Sequence, residues 1–209
     1  MASALQYFVL ILILGIPIHE GAVVYQNGKC IDVRGPCFDL NLLANIAERV
    51  SKDVVAADGE KILLKHNSFD KIRKRKNLHS CVLQKIIDLF QNVLEVTEES
   101  SVHHEENMNY HRELIHIMEQ LKNCVHQVKY NCNKLYTKSE KTATSLSTIL
   151  EKKMSPDELA VLQLQKLKNA SDNLNDVHIQ ERVMDELKTL HLYMRGKGFR
   201  KNMNDKKEA

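Results

Sequence analysis

A chain of 209 residues with 30 lysines and arginines against 27 aspartates and glutamates carries a formal net charge of +3 with its histidines neutral. That length suits one compact domain around a single core, and so small a positive excess does not mark a nucleic-acid-binding protein. With three prolines, seven glycines and no sustained apolar-polar alternation, the chain reads as helical, with little material for ligand-cradling loops.

The first element is the uncharged apolar run over residues 7–18, which is followed by His19-Glu20 and preceded by no lysine or arginine. It is shorter than the roughly 20 apolar residues that span a bilayer, and Pro17 interrupts its end. It therefore reads as the core of a secretory signal peptide over residues 1–22, cut near Gly21 or Ala22. The expectation is a secreted, extracellular protein with a helical domain over 23–196 and a basic polar tail over 197–209. Loss of Glu20, the one ionised side chain of that leader, raises the net charge by one.

Asp39 is a good N-cap for a first helix carrying Leu40, Leu43, Ala47, Val50 and Val54 at helical spacing, ended by Asp58-Gly59. Residues 60–77 read as a long connection pinned to the core by Ile62-Leu63-Leu64 and Phe69. A second helix over 78–96 has an apolar face widened by Leu83, Ile87 and Leu94, as a buried central helix has. A long helix from about Glu105 shows Leu114, Met118, Leu121, Val125, Val128, Cys132 and Leu135 at alternating spacings of four and three. A shorter helix is expected over 142–153. Ser155, Pro156 and Glu158 then form a capping-box start for a helix through Leu159, Leu162 and Leu167. That helix either breaks near Asn173 or runs on. Val183, Leu187, Leu190 and Met194 mark a last helix, stopped by Gly196 and Gly198, and the stretch from Lys197 onward reads as too polar to pack. The sum is five or six helices.

Positive charge clusters at residues 71–76 and again at 195–201. Such runs read as solvated loops or tails, each able to hold a sulfated glycan or an acidic receptor face. The sequon Asn169-Ala170-Ser171 reads as a glycosylation acceptor on an exposed surface.

No nucleophile elbow, phosphate loop, dinucleotide fingerprint or HExxH motif is present, and no residue is nominated for catalysis. His103-His104-Glu105-Glu106 reads as the polar start of a helix. The five cysteines, Cys30, Cys37, Cys81, Cys124 and Cys132, all follow the leader. Their spacing matches no zinc site, so neither metal nor cofactor is expected. An oxidising route favours two bridges and one leftover thiol.

The order of these features resembles the interleukin-10 family of class II helical cytokines. A cysteine precedes the first helix in Cys37-Phe38-Asp39-Leu40, a cysteine opens the apolar central helix in Cys81-Val82-Leu83-Gln84, and the pair Cys124 and Cys132 closes the next one. The segment from Glu181 to Met194 looks like the family's final helix. Within the family the chain is similar to the interleukin-20, -22 and -26 branch. The run from Leu174 to Leu187 is also similar to the final helix of interferon gamma, which lacks this four-cysteine frame.

The resemblance implies an all-α, compact six-helix bundle stapled by Cys37–Cys124 and Cys81–Cys132, with Cys37 preferred over Cys30 as partner of Cys124 and Cys30 left over. It implies a secreted cytokine that joins two class II receptor chains and triggers Janus kinase and STAT signalling in immune or epithelial defence. A homodimer formed by helix exchange is compatible with it. Receptor contact is expected at Arg49, Lys52, Lys61, Lys188 and Tyr193, with no specific nucleic acid and no membrane insertion. Two rivals of another class are a secreted antimicrobial bundle, which needs a basic segment with a continuous apolar face, and a ligand carrier, which needs an internal cavity.

Overall fold

The computed structural model describes residues 24–26, 29–31, 37–54, 59–100, 105–126, 132–141, 151 and 153–200. The expected leader, most of the helix expected over 142–153, Val128, His103-His104 and the chain beyond residue 200 lie outside them. Val24–Gln26 (β1) and Lys29–Ile31 (β2) pair as a short antiparallel hairpin, with Tyr25 opposite Cys30. The longer elements after it among the described residues are helices.

Eight helical segments follow among the described residues: α1 Leu40–Val50, α2 His66–Arg73, α3 Lys76–Ser100, α4 Glu105–Cys124, α5 Cys132–Lys141, α6 Pro156–Asp172, α7 Val177–Leu187 and α8 Leu190–Met194. The caps expected from sequence are in place. Asp39 accepts from the Asn41 amide at 2.8 Å, and Ser155 and Glu158 exchange both capping-box bonds, at 3.3 and 2.8 Å. Each such cap contributes about 1 kcal/mol by satisfying an amide that the first turn leaves unpaired.

The central helix is α3, as its wide apolar face requires. Val82, Leu83, Ile86, Ile87, Phe90, Val93 and Leu94 are all buried, and α3 packs against α4, α6 and α7. Leu114, Met118 and Leu121 of α4, Leu159, Leu162 and Leu167 of α6, and Val183 and Leu187 of α7 complete the core. Each fully buried aliphatic side chain stabilises the fold by roughly 1.5–3 kcal/mol.

The structure corrects four expectations. The first helix stops at Val50, short of Val54: Ser51 leaves helical backbone at φ −103° and ψ 13°, and the Val54 amide turns back to the Ser51 carbonyl at 3.2 Å. The connection over 60–77 contains α2, whose Phe69 and Ile72 are fully buried. The long helix is divided: after Cys124 the backbone turns to pair Val125 with Phe199, and the His126 amide bonds the Gly198 carbonyl at 2.8 Å. The last helix is broken at Thr189, whose amide and hydroxyl both take the Glu186 carbonyl at 3.0 Å.

The C-terminal stretch is also not wholly polar and free. Gly198 and Phe199 are buried, so the packed body extends past residue 196. Lys197 donates its amide to the Arg73 carbonyl at 3.1 Å, Arg200 donates its amide to the Cys124 carbonyl at 3.1 Å, and Ser80 Oγ donates to the His126 carbonyl. Gly196 has φ +146°, and a Cβ at Gly198 would run into the backbone of His79 and Ser80. Only glycine tolerates both conditions.

Two disulfides staple this region, joining Cys37 to Cys124 and Cys81 to Cys132, the same pairs that the resemblance implies. They close separations of 87 and 51 residues, and on the chain-entropy account each stabilises the fold by about 4–5 kcal/mol. No helix among the described residues is long and apolar enough to cross a membrane.

His79 fastens the C-terminal stretch to α3. The Gly198 amide is a donor only, so His79 Nδ1, 2.8 Å away, must accept, and Nε2–H donates to the Tyr193 carbonyl at 2.9 Å. Burial drives the histidine's pKa down to about 4, with Arg73 adding to the shift and the Tyr193 bond opposing it. In the unfolded chain it protonates near 6.5. The unfolded state therefore binds the extra proton between those values, and stability contributed by His79 is complete above about pH 6.5 and lost as pH falls toward 4. The full span is about 3 kcal/mol. Denaturant titrations at pH 7 and 4.5 should show a larger acid loss for the wild type than for His79→Asn, which keeps an acceptor near Gly198. Equal losses would contradict this role.

Candidate functional site

Residues 59–65 cross the surface between α1 and α2 without forming a helix or strand, yet Ile62, Leu63 and Leu64 are buried. A buried backbone must still place its amides and carbonyls. Here side chains of three helices do so. The Glu186 carboxylate of α7 accepts from the Ile62 and Leu63 amides at 2.6 and 2.8 Å. Gln163 of α6 accepts from the Leu64 amide at 2.8 Å and donates to the Ile62 carbonyl at 3.0 Å. Tyr193 of α8 donates its hydroxyl to the Leu64 carbonyl at 2.8 Å, and Lys166 donates to the Lys61 carbonyl at 2.7 Å.

Burial pushes the Glu186 carboxyl upward, and the Leu63 and Ile62 amides, with Lys61 and Lys166, draw it back. Burial likewise pushes the Tyr193 phenol up, with Glu186 adding to the shift.

This cradle brings the end of α1, segment 59–65 and α7 onto one side. Lys52 and Lys61 are exposed there. Lys188 is half-buried and joins Asp185 at 2.8 Å and the Val54 carbonyl at 3.2 Å, linking α7 to the chain just past α1. Arg49 is exposed but engaged, its guanidinium 4.9 Å over the Tyr110 ring and bonded to the Tyr110 hydroxyl at 2.8 Å. Tyr193 does not belong to this surface: it is 4% exposed, with Phe69 edge-on at 4.8 Å. Its position on the helix faces the core because its hydroxyl is needed by Leu64.

Sequence reading also missed Glu186 and Gln163 as the residues that fix the segment. The available signal was a polar side chain set into an apolar face, in Leu162-Gln163-Leu164 and Glu186-Leu187.

Elsewhere, a groove of about 360 Å3 lies between α3, α5 and α6, with Lys85, Asp88, Tyr136, Leu164, Lys168 and Asp172 among its walls. Tyr136 donates to the Cys81 carbonyl at 3.0 Å, and burial pushes its phenol up to about 12, which keeps it neutral. Asn169 and Ser171 of the sequon are exposed on the last turn of α6. Cys30 lies in β2. No three His, Cys, Asp or Glu side chains come together as a metal site among the described residues.

Removing the carboxylate by Glu186→Ala leaves two buried amides unpaired and should lower unfolding free energy by about 2–4 kcal/mol. Asp185→Ala, at a half-exposed pair, should change it by less than about 1 kcal/mol. Denaturant unfolding checks both, and equal effects would contradict the cradle.

The chain matches no protein-family model, no curated protein and no solved structure at a significant level.

Proposed function

We propose that the protein is a secreted helical cytokine that acts by binding two class II cytokine receptor chains and catalyses nothing. The observation that carries this reading is the pair of staples, Cys37–Cys124 and Cys81–Cys132. They fasten the start of the first helix and the central helix to the chain around α4 and α5, in the order that the interleukin-10 family resemblance implies. A single helical body so fixed presents rigid surfaces, and rigidity lowers the ordering cost of binding. Bringing two receptor chains together would then activate Janus kinases and STAT factors.

The receptor-facing side in this reading is formed by the end of α1, segment 59–65 and α7. Lys52 and Lys61 are among its exposed cations, with Arg49 and Lys188 beside them. Tyr193 supports the surface from beneath and does not contact a partner.

The test applies purified, disulfide-bonded protein to cells carrying defined pairs of class II receptor chains and measures STAT phosphorylation. One interleukin-10-family pair should respond. Reversing both exposed charges, Lys52→Glu with Lys61→Glu, should raise the concentration for half response about tenfold or more, without lowering the thermal midpoint. A response only through the interferon gamma receptor pair would support that rival, and no response through any class II pair would overturn the reading.

A further inference from the structure

The two basic runs are 119 residues apart where Gly198 meets His79, yet the fold joins them. The Lys197 amide reaches the Arg73 carbonyl at 3.1 Å, and a Cβ on Gly196 would touch Arg73 and the His79 ring. On the adjoining side, His126 lies between the runs. Its amide bonds the Gly198 carbonyl, and its pKa is lowered by burial and then by Lys76 and Arg200 together.

Among the described residues, Asp70 and Asp157 border this region, and each is already engaged by an arginine. Asp70 pairs with Arg73 at 3.0 Å and Asp157 with Arg75 at 2.9 Å. Lys74, Lys76, Arg195 and Lys197 are exposed and make no ion pair with an acid among the described residues. Like charges held this close are mutually unfavourable, and a bound polyanion relieves that repulsion.

We propose that the α2–α3 turn and segment 195–200 form one docking face for a linear sulfated glycan. The occupant is chosen by what the face lacks. Single-stranded nucleic acid needs exposed aromatic rings for base stacking, but Phe199 and Tyr193 are buried, and the chain's small net charge of +3 does not mark a duplex-binding protein. Membrane docking requires apolar side chains that can enter the lipid boundary, but Leu78 and Phe199 are buried, and the exposed large apolar residues among the described ones lie elsewhere: Leu42 on α1, Val96 near the far end of α3 and Val177 on α7. What the face offers is ammonium and guanidinium groups, which suit sulfate along a flexible polyanion.

The probe is a heparin-derived octasaccharide, titrated calorimetrically onto the full chain in 0.15 M salt. Lys74→Ala with Lys76→Ala, and Arg195→Ala with Lys197→Ala, should each weaken binding about fivefold to tenfold, with unchanged circular dichroism. Phe199→Ala keeps every charge but removes the anchor of segment 195–200, and should weaken binding to a similar degree. The proposal is overturned if the Lys74/Lys76 variant binds as the wild type does. It is also overturned if a desulfated octasaccharide, a duplex DNA of matching charge or a phosphatidylserine vesicle binds as tightly as the octasaccharide. Should Phe199→Ala fail to fold, the two surface charge variants decide the matter alone.

Discussion

Buried backbone without secondary structure has no ladder to satisfy it, and this constraint organises one whole side of the protein. Ile62, Leu63 and Leu64 are drawn inward by their apolar side chains, which forces their amides and carbonyls out of water. Glu186, Gln163 and Tyr193 meet that demand from three different helices. Each is thereby fixed in the core by a partner more than ninety residues away. The settings of α6, α7 and α8 are thus tied to one short segment, on which Lys61 is exposed.

A second knot holds distant parts of the sequence together. Around the first turns of α3, His79 and Ser80 reach the C-terminal stretch and the end of α4, while Cys81 is bonded to Cys132. Cys124 adds the start of α1 through Cys37. Segment 195–200 thus closes the fold, and glycine at 196 and 198 is required by a left-handed backbone and by close backbone approach. The same closure brings together two basic runs that self-repulsion alone would separate.

Local signals in the sequence translated well. The caps at Asp39 and Ser155, the wide face of α3 and the periodicity of Leu114, Met118 and Leu121 are each set by neighbours within a few turns. What escaped reading was long-range. Helix α2 has two apolar residues, Phe69 and Ile72, in a basic run and no side-chain cap, so only packing against α6 and α8 reveals it. The long helix was read through Val125 because its apolar spacing continues, while the competing pairing comes from Phe199. Tyr193 reads as a surface aromatic until Leu64 is seen to need its hydroxyl. Of the candidate surface, the lysines were legible as exposed charges, and the buried polar residues that position them were not.

Hydrogen–deuterium exchange at single-residue resolution tests the central claim most directly. If side chains hold the 62–64 backbone, the Ile62, Leu63 and Leu64 amides are protected to a degree comparable with the core of α6, although they lie in no helix or strand. Exchange of those three amides at the rate of an open loop, with α6 still protected, would contradict the account.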